Sequence, residues 1–395
     1  MPYINRRNFL RTTGVTILPA LVPAGPLFAS AIKENTPQPP APVIDFFNDG
    51  RMYTPEEYLN ELQQINAKTA IKRDYYGKGG AVTALEKEFE KITGKEKSMF
   101  MPTGTMANQL AITVLSGSNT KVFVQDTSHV YRDEADAAQS VFQKRLMPLA
   151  KEETFFTVDQ LKNAINALQE GEVFQSGIGA VSIENPVRRK DEQLVPLEEI
   201  KKISEYCRSN DIKLHLDGAR IYMAAAWSGI SVKEYAAYFD TIYISLYKYL
   251  GAHAGAVLCG EKKVMDKMDH LVKIHGGTQF GNWTNAIMAL HRLDGIDKRL
   301  KDTIALWNSL IAILNKEQGV NIIAFAGGTN HYYLQLTKEI NGKKMREVLA
   351  TEFNIRIAPP NDKNEITLVV NETLLYRDAS DIANAFKKAI KGSWQ

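Results

Sequence analysis

Residues 213–260 read KLHLDGARIYMAAAWSGISVKEYAAYFDTIYISLYKYLGAHAGAVLCG. Two strand-like runs lie inside this stretch. The first, 212–216, alternates like a buried strand and stops at Asp217 and Gly218. The second, 241–244, leads into Ser245 and, three residues later, Lys248, before a small-residue tail at 251–255. Charged groups just past the ends of strands in an α/β chain sit where such sheets keep their ligands. A chain with this stretch is therefore expected to build an open sheet with an aspartate and a lysine at one edge.

One lysine and one aspartate delivered in this way are what pyridoxal 5'-phosphate requires. The lysine forms a Schiff base, and the carboxylate pairs with the pyridinium nitrogen. A carboxylate beside that nitrogen keeps it protonated, so the ring can accept electrons. The lysine must be neutral to attack a carbonyl, and burial near other cations lowers its pKa in that direction. Ser245 is placed to reach the cofactor phosphate. Either charged residue alone is weak evidence. An aspartate after a strand is common, and most lysines are solvated. The order strand, Asp217-Gly218-Ala219-Arg220, strand, Ser245-x-x-Lys248 is much more specific.

Upstream, the strand-like run 98–101 meets Pro102-Thr103-Gly104-Thr105, which opens an apolar helix reaching residue 115. A strand, a small turn and a helix start make an anion site, with free backbone N–H groups and the positive dipole end converging. Gly104 and Thr105 are the residues nearest a bound phosphate. A further strand, 121–125, runs into Asp126-Thr127-Ser128-His129. A lone histidine after a strand is more often structural than catalytic.

HLDGAR followed by SLYKYLGAHAGAVLCG resembles the threonine aldolase group of fold-type-I pyridoxal phosphate enzymes, within the wider β-eliminating lyases. The resemblance runs from about residue 44 to the C-terminus and is strongest at 74–109, 126–131 and 215–260. It implies that Lys248 is the Schiff-base lysine and Asp217 the ring-nitrogen partner. It puts Arg220 beside the cofactor oxygen and the substrate carboxylate, and Gly104 and Thr105 on the phosphate. It also gives His129 a stacking role over the ring and a share in proton handling. Tyr76 and Gly77 match a loop near a neighbouring active site, and Lys273 matches a lysine of a glycine-rich interface loop. A homodimer or homotetramer follows. The activity implied is retro-aldol cleavage of a threonine-like β-hydroxy-α-amino acid to glycine and an aldehyde. In that cleavage His129 or a held water serves as base. A β-eliminating lyase, an amino-acid racemase, and an exported non-catalytic protein of this fold are the alternatives.

The chain departs from the family in places. Asn48 stands for a substrate-binding serine, Val187 for a histidine, Phe280 for an interface arginine and Thr367 for the arginine that grips the substrate carboxylate. An α-carboxylate needs a cationic, preferably bidentate, partner. Arg220 is the remaining candidate, with Arg188, Arg189 and Arg356 as substitutes.

Strands alternate with helices along the chain, which argues for a mostly parallel α/β sheet covered on both faces; the resemblance implies that this is a fold-type-I, transferase-like α/β domain. The expected division is a large cofactor domain, 43–295, and a smaller α/β C-terminal domain, 296–395. No basic stripe points to nucleic acid, and no apolar run of the mature chain is long enough to cross a membrane. The two cysteines, Cys207 and Cys259, offer neither metal-ligand spacing nor a disulfide framework. Residues 1–31 are expected to be a signal peptide: Arg6-Arg7 resembles a twin-arginine export motif, with cleavage after Ala31 and a periplasmic destination in a Gram-negative cell. Residues 32–42, rich in proline, read as a linker.

Overall fold

Seven strands form the main sheet, in the order β2-β8-β7-β6-β5-β3-β4. They are β2 (Lys97–Met101), β3 (Lys121–Gln125), β4 (Arg145–Leu149), β5 (Ile178–Glu184), β6 (Lys213–Asp217), β7 (Thr241–Ser245) and β8 (Ala256–Gly260). In this computed structural model residues 42–395 are described, and Pro42–Gln395 is one compact unit. The twin-arginine motif, its cleavage site and the linker to residue 41 lie outside the described residues.

From β4 to β7 every neighbouring pair is parallel. β8 runs against both β7 and β2. The two reversals cancel, so β2 points the same way as β7. The strands β2, β3, β5, β6 and β7 therefore all end at one edge, and β8 starts there. This single geometric fact gathers Gly104, His129, Glu184, Asp217 and Lys248, which follow or end five different strands.

Burial explains why these runs are strands. β3, β7 and β8 are buried at every residue, and β5 at all but its first, as expected for strands covered on both faces by helices. The run AVLCG of β8 was not expected as a strand; its small residues, bounded by glycines, resemble a loop tail. After β8 come two short helices, Lys262–Met265 and Met268–Ile274.

A second apolar core lies on a three-stranded antiparallel sheet, β12-β10-β9 (Glu365–Val369, His331–Leu336, Val320–Ala324). It includes Trp307 and Leu310 of the helix Ile296–Leu314 and Phe386 of the helix Ala379–Lys391. The N-terminal arm belongs to this core, whereas the sequence had grouped it with the large sheet. β1 (Ile44–Asp45) pairs in parallel with β11 (Ile355–Arg356), and Phe46 is fully buried against Trp307 and Phe386, with ring centroids 5.7 and 5.9 Å away. Beyond it the arm turns back towards the main sheet. A Cβ on Gly50 would lie 3.0 Å from the Lys248 carbonyl oxygen.

Phe46→Ala should therefore destabilise the protein by about 3–5 kcal/mol, the usual cost of removing a fully buried aromatic ring. Urea unfolding measures this; a loss under about 1 kcal/mol would show that the arm is not part of the core.

Candidate active site

At the shared strand edge lies a cavity of about 240 Å³. Gly104, Thr105, His129, Asp217, Arg220 and Lys248 all line it. Six of the seven residues singled out from the sequence thus meet in one place. Ser245 does not line the cavity; it is fully buried, and its hydroxyl has no hydrogen-bond partner. A larger groove of about 860 Å³ lies elsewhere, beside the helix Ile221–Ser228 and the Leu290–Ile296 turn. Its size does not make it the reactive site, because Lys248, His129 and Asp217 are not there.

Thr103 caps the helix Gly104–Ser116, its hydroxyl accepting from the Met106 amide at 3.1 Å. The first amides of a helix have no partner within it, and this helix begins at the cavity. Residue 104 must be glycine: a Cβ there would lie 2.1 Å from the Tyr243 hydroxyl.

Lys248 is buried. Burial, reinforced by the charge of Arg220, pulls its amine below the ordinary lysine range, while Asp49, Asp217 and Glu192 pull the other way. Asp217 ends β6. Its Oδ2 accepts from Asn108 Nδ2 at 2.9 Å and its Oδ1 from the Ala219 amide at 3.2 Å.

Asn108 is the centre of a polar chain that the sequence did not reveal. Its amide also donates to Glu134 Oε1 at 2.9 Å. Glu134 Oε1 takes a second hydrogen bond from His129 Nδ1 at 3.0 Å. On its other side, Asn108 Oδ1 lies 3.0 Å from His215 Nε2, and His215 Nδ1 lies 2.8 Å from the Thr241 hydroxyl. An amide oxygen only accepts, so Nε2 carries the proton and Nδ1 accepts from Thr241. Burial pushes the His215 pKa down to about 4, so the ring stays neutral. The hydrogen bond to Glu134 instead raises the His129 pKa above its ordinary value, against the effect of burial. His129, Glu134 and Asp217 offer ligand atoms within 4.8 Å of one another, but the bonds just described already engage them. A sequence cue existed: His215 and Asp217 share a strand face, and Asn108 lies one helical turn beyond Gly104.

Glu184 ends β5 and also lines the cavity. Its oxygens accept from the amides of His129, at 2.6 Å, and Arg188, at 3.0 Å. Burial, with Asp217 nearby, raises its pKa.

Arg220 is held by the N-terminal arm. Nε and Nη2 donate to the two oxygens of Asp49 at 2.7 and 3.0 Å, a bidentate pair. The other arginines considered from the sequence are engaged elsewhere. Arg188 and Arg189 both pair with Asp133, and Arg356 with Asp45. Val187 is fully buried in the core. Thr367 faces Tyr333 across the small sheet, and Asn48 donates to Asp45. Phe280 meets Tyr76 edge to face, with ring centroids 5.3 Å apart, and Lys273 lies 6.0 Å from the Tyr76 ring.

Comparison with known proteins fits this geometry. The family model described as beta-eliminating lyase matches residues 59–320, and the chain belongs to that family. A low-specificity L-threonine aldolase of Saccharomyces cerevisiae is 31% identical over 273 residues, covering 69% of each chain. One from Candida albicans is 34% identical over 212 residues, covering 53% of this chain and 56% of that protein. The match thus spans little more than half the length of the latter relative. The solved structure of a candidate L-allo-threonine aldolase from Listeria monocytogenes has a TM-score of 0.73 at 23% identity, covering 89% of this chain and 96% of that one. The fold is that of the fold-type-I pyridoxal phosphate enzymes.

The comparisons overturn the expectation of an exported, periplasmic protein. The threonine aldolases that match by sequence at about 30% identity come from eukaryotes, among them Candida albicans, Saccharomyces cerevisiae and Arabidopsis thaliana. An Arg-Arg pair ahead of an apolar stretch is too short a pattern to outweigh that kinship.

The His215 assignment is open to measurement. Imidazole nitrogen shifts in the folded protein should report a neutral ring protonated at Nε2, titrating near pH 4 because burial disfavours the charged form. A ring that titrates at the ordinary histidine value would contradict it.

Proposed function

We propose that the protein is a pyridoxal phosphate-dependent carbon–carbon lyase that cleaves a threonine-like β-hydroxy-α-amino acid to glycine and an aldehyde. The observation that carries this reading is the meeting of Lys248, Asp217 and a helix N-terminus at one small cavity. The donor set fits the cofactor: an amine shifted towards its neutral form, a carboxylate fixed by an amide, and free helix amides.

When bound, pyridoxal phosphate supplies an electron sink for the pair released as the substrate Cα–Cβ bond breaks. Lys248 would hold it covalently and Asp217 would keep its ring nitrogen protonated. Gly104 and Thr105, at the helix start, would hold the phosphate. Asn108 fixes Asp217 in place, and neutral His215 fixes Asn108. His129 donates its Nδ1–H in a hydrogen bond to Glu134, which leaves the Nε2 lone pair free to take the proton from the substrate β-hydroxyl. Glu134 strengthens that base, in the manner of a carboxylate that orients a catalytic imidazole. Glu184 anchors the His129 backbone and so sets where the ring sits. Arg220 is the residue available to the substrate carboxylate.

A homo-oligomer also fits the surface. Tyr75, Tyr76 and Phe280 form an aromatic cluster, each more than half exposed, near Lys273. Such a patch commonly marks an association face. Two domains, meeting within or near the helix Ile296–Leu314, agree with the separate apolar cores.

Supplied with pyridoxal phosphate, the protein should convert L-threonine, L-allo-threonine or phenylserine to equal amounts of glycine and aldehyde. Lys248→Ala should lower that turnover by about 10³-fold or more, the scale of losing an essential nucleophile. Replacement of His129 by Asn should cost about 10²–10⁴-fold. No product from any of the three substrates would remove the reading; pyruvate and ammonia from serine would replace it with β-elimination.

A further inference from the structure

Glu192 is a buried carboxylate that the catalytic reading above does not use. Its exposure is 1%, and neither oxygen has a hydrogen-bond partner. Oε1 lies 3.3 Å from Arg220 Nε. That N–H is already given to Asp49, so Glu192 holds an ion-pair distance without the bond. Glu192 and its neighbour Asp191 both have left-handed backbones, with φ of 56° and 52°. Side chains rarely adopt this conformation, and it costs energy where it occurs. A buried carboxylate without a hydrogen bond also costs energy. Two unfavourable features converge on the one guanidinium that, among the described residues, lines the cavity.

We propose that Glu192 is a specificity-determining residue: it competes with the substrate α-carboxylate for Arg220 and so keeps this enzyme's hold on that group weak. The proposal rests on the reading of the site as one for amino acids.

The charges around Arg220 support it. Asp49 keeps its carboxyl below the usual range, because Arg220's charge and hydrogen bonds outweigh burial. Burial raises the Glu192 carboxyl, and Asp49 adds to that, so the pair shares one guanidinium unequally. Lys248 and Glu184 also face Glu192 electrostatically. His331, on β10, feels both Arg220 and Asp49, and burial holds it neutral, down to about 4. Arg220 thus already serves two acids before a third, the substrate's, arrives. Like charges brought together at one partner weaken each other's binding.

The test compares a ligand with its decarboxylated counterpart. Glycine and methylamine share an amine and differ by the α-carboxylate. Their dissociation constants for the pyridoxal phosphate-loaded protein are measured by calorimetry, before and after Glu192→Gln. The substitution should tighten glycine about tenfold, the scale of one screened charge contact, and leave methylamine unchanged. Asp49→Asn should do the reverse and weaken glycine, because the bidentate pair that orients Arg220 is lost. Equal changes for the two ligands, or none in Glu192→Gln, would overturn the proposal. A marked fall in the thermal midpoint of Glu192→Gln would also overturn it, by giving Glu192 a structural role. If methylamine binds the parent normally, such failures leave the cofactor reading standing. If neither ligand binds the loaded parent, both fall together.

Discussion

A lysine amine buried beside a guanidinium is stable in a folded protein only if carboxylates balance the charge. Lys248 and Arg220 create that demand here, and Asp49, Asp217 and Glu192 answer it. The arrangement draws together the N-terminal arm, two strand ends of the main sheet and the turn that carries Glu192. Displacing the arm would take away Asp49, whose two oxygens hold Arg220, and leave an uncompensated buried charge, among the more costly defects a protein can hold. Burial and the charge of Arg220 lower the Lys248 pKa, and the carboxylates that balance these cations limit how far it falls.

Orientation comes from a different source. The chain of hydrogen bonds from Thr241 through His215 and Asn108 to Asp217 and Glu134 is made of fully buried groups. A neutral His215 is what gives the chain its direction. Each of the two Asn108 N–H groups has its own acceptor and its Oδ1 accepts from His215, so Asn108 cannot flip without losing bonds on both sides. Carboxylates held this way are already oriented towards the cavity and need no reorganisation when charge develops there.

Much of this was legible in the sequence because it depended on local order. Asp217 and Lys248 follow strands whose apolar pattern is plain, and Gly104 starts a helix whose capping threonine precedes it. Resemblance to a family then sharpened the role of His129. What stayed hidden depended on contacts distant in the chain. Asp49 reaches Arg220 across 171 positions; Asn108 joins Asp217 across 109. Glu192 gave no signal at all, since a glutamate in a polar turn reads as solvated. β8 was missed because its antiparallel insertion is a property of the sheet. The twin-arginine reading failed for another reason: a short motif carries little information when nothing else in the chain depends on it.

The central claim is that Lys248 and Asp217 serve one cofactor in one cavity. Reduction of the pyridoxal phosphate-loaded protein with borohydride, followed by peptide mass mapping, tests it most directly. The account predicts a pyridoxyl group on the peptide that contains Lys248 and on no other lysine. Label spread over surface lysines, or absent from Lys248, would contradict it.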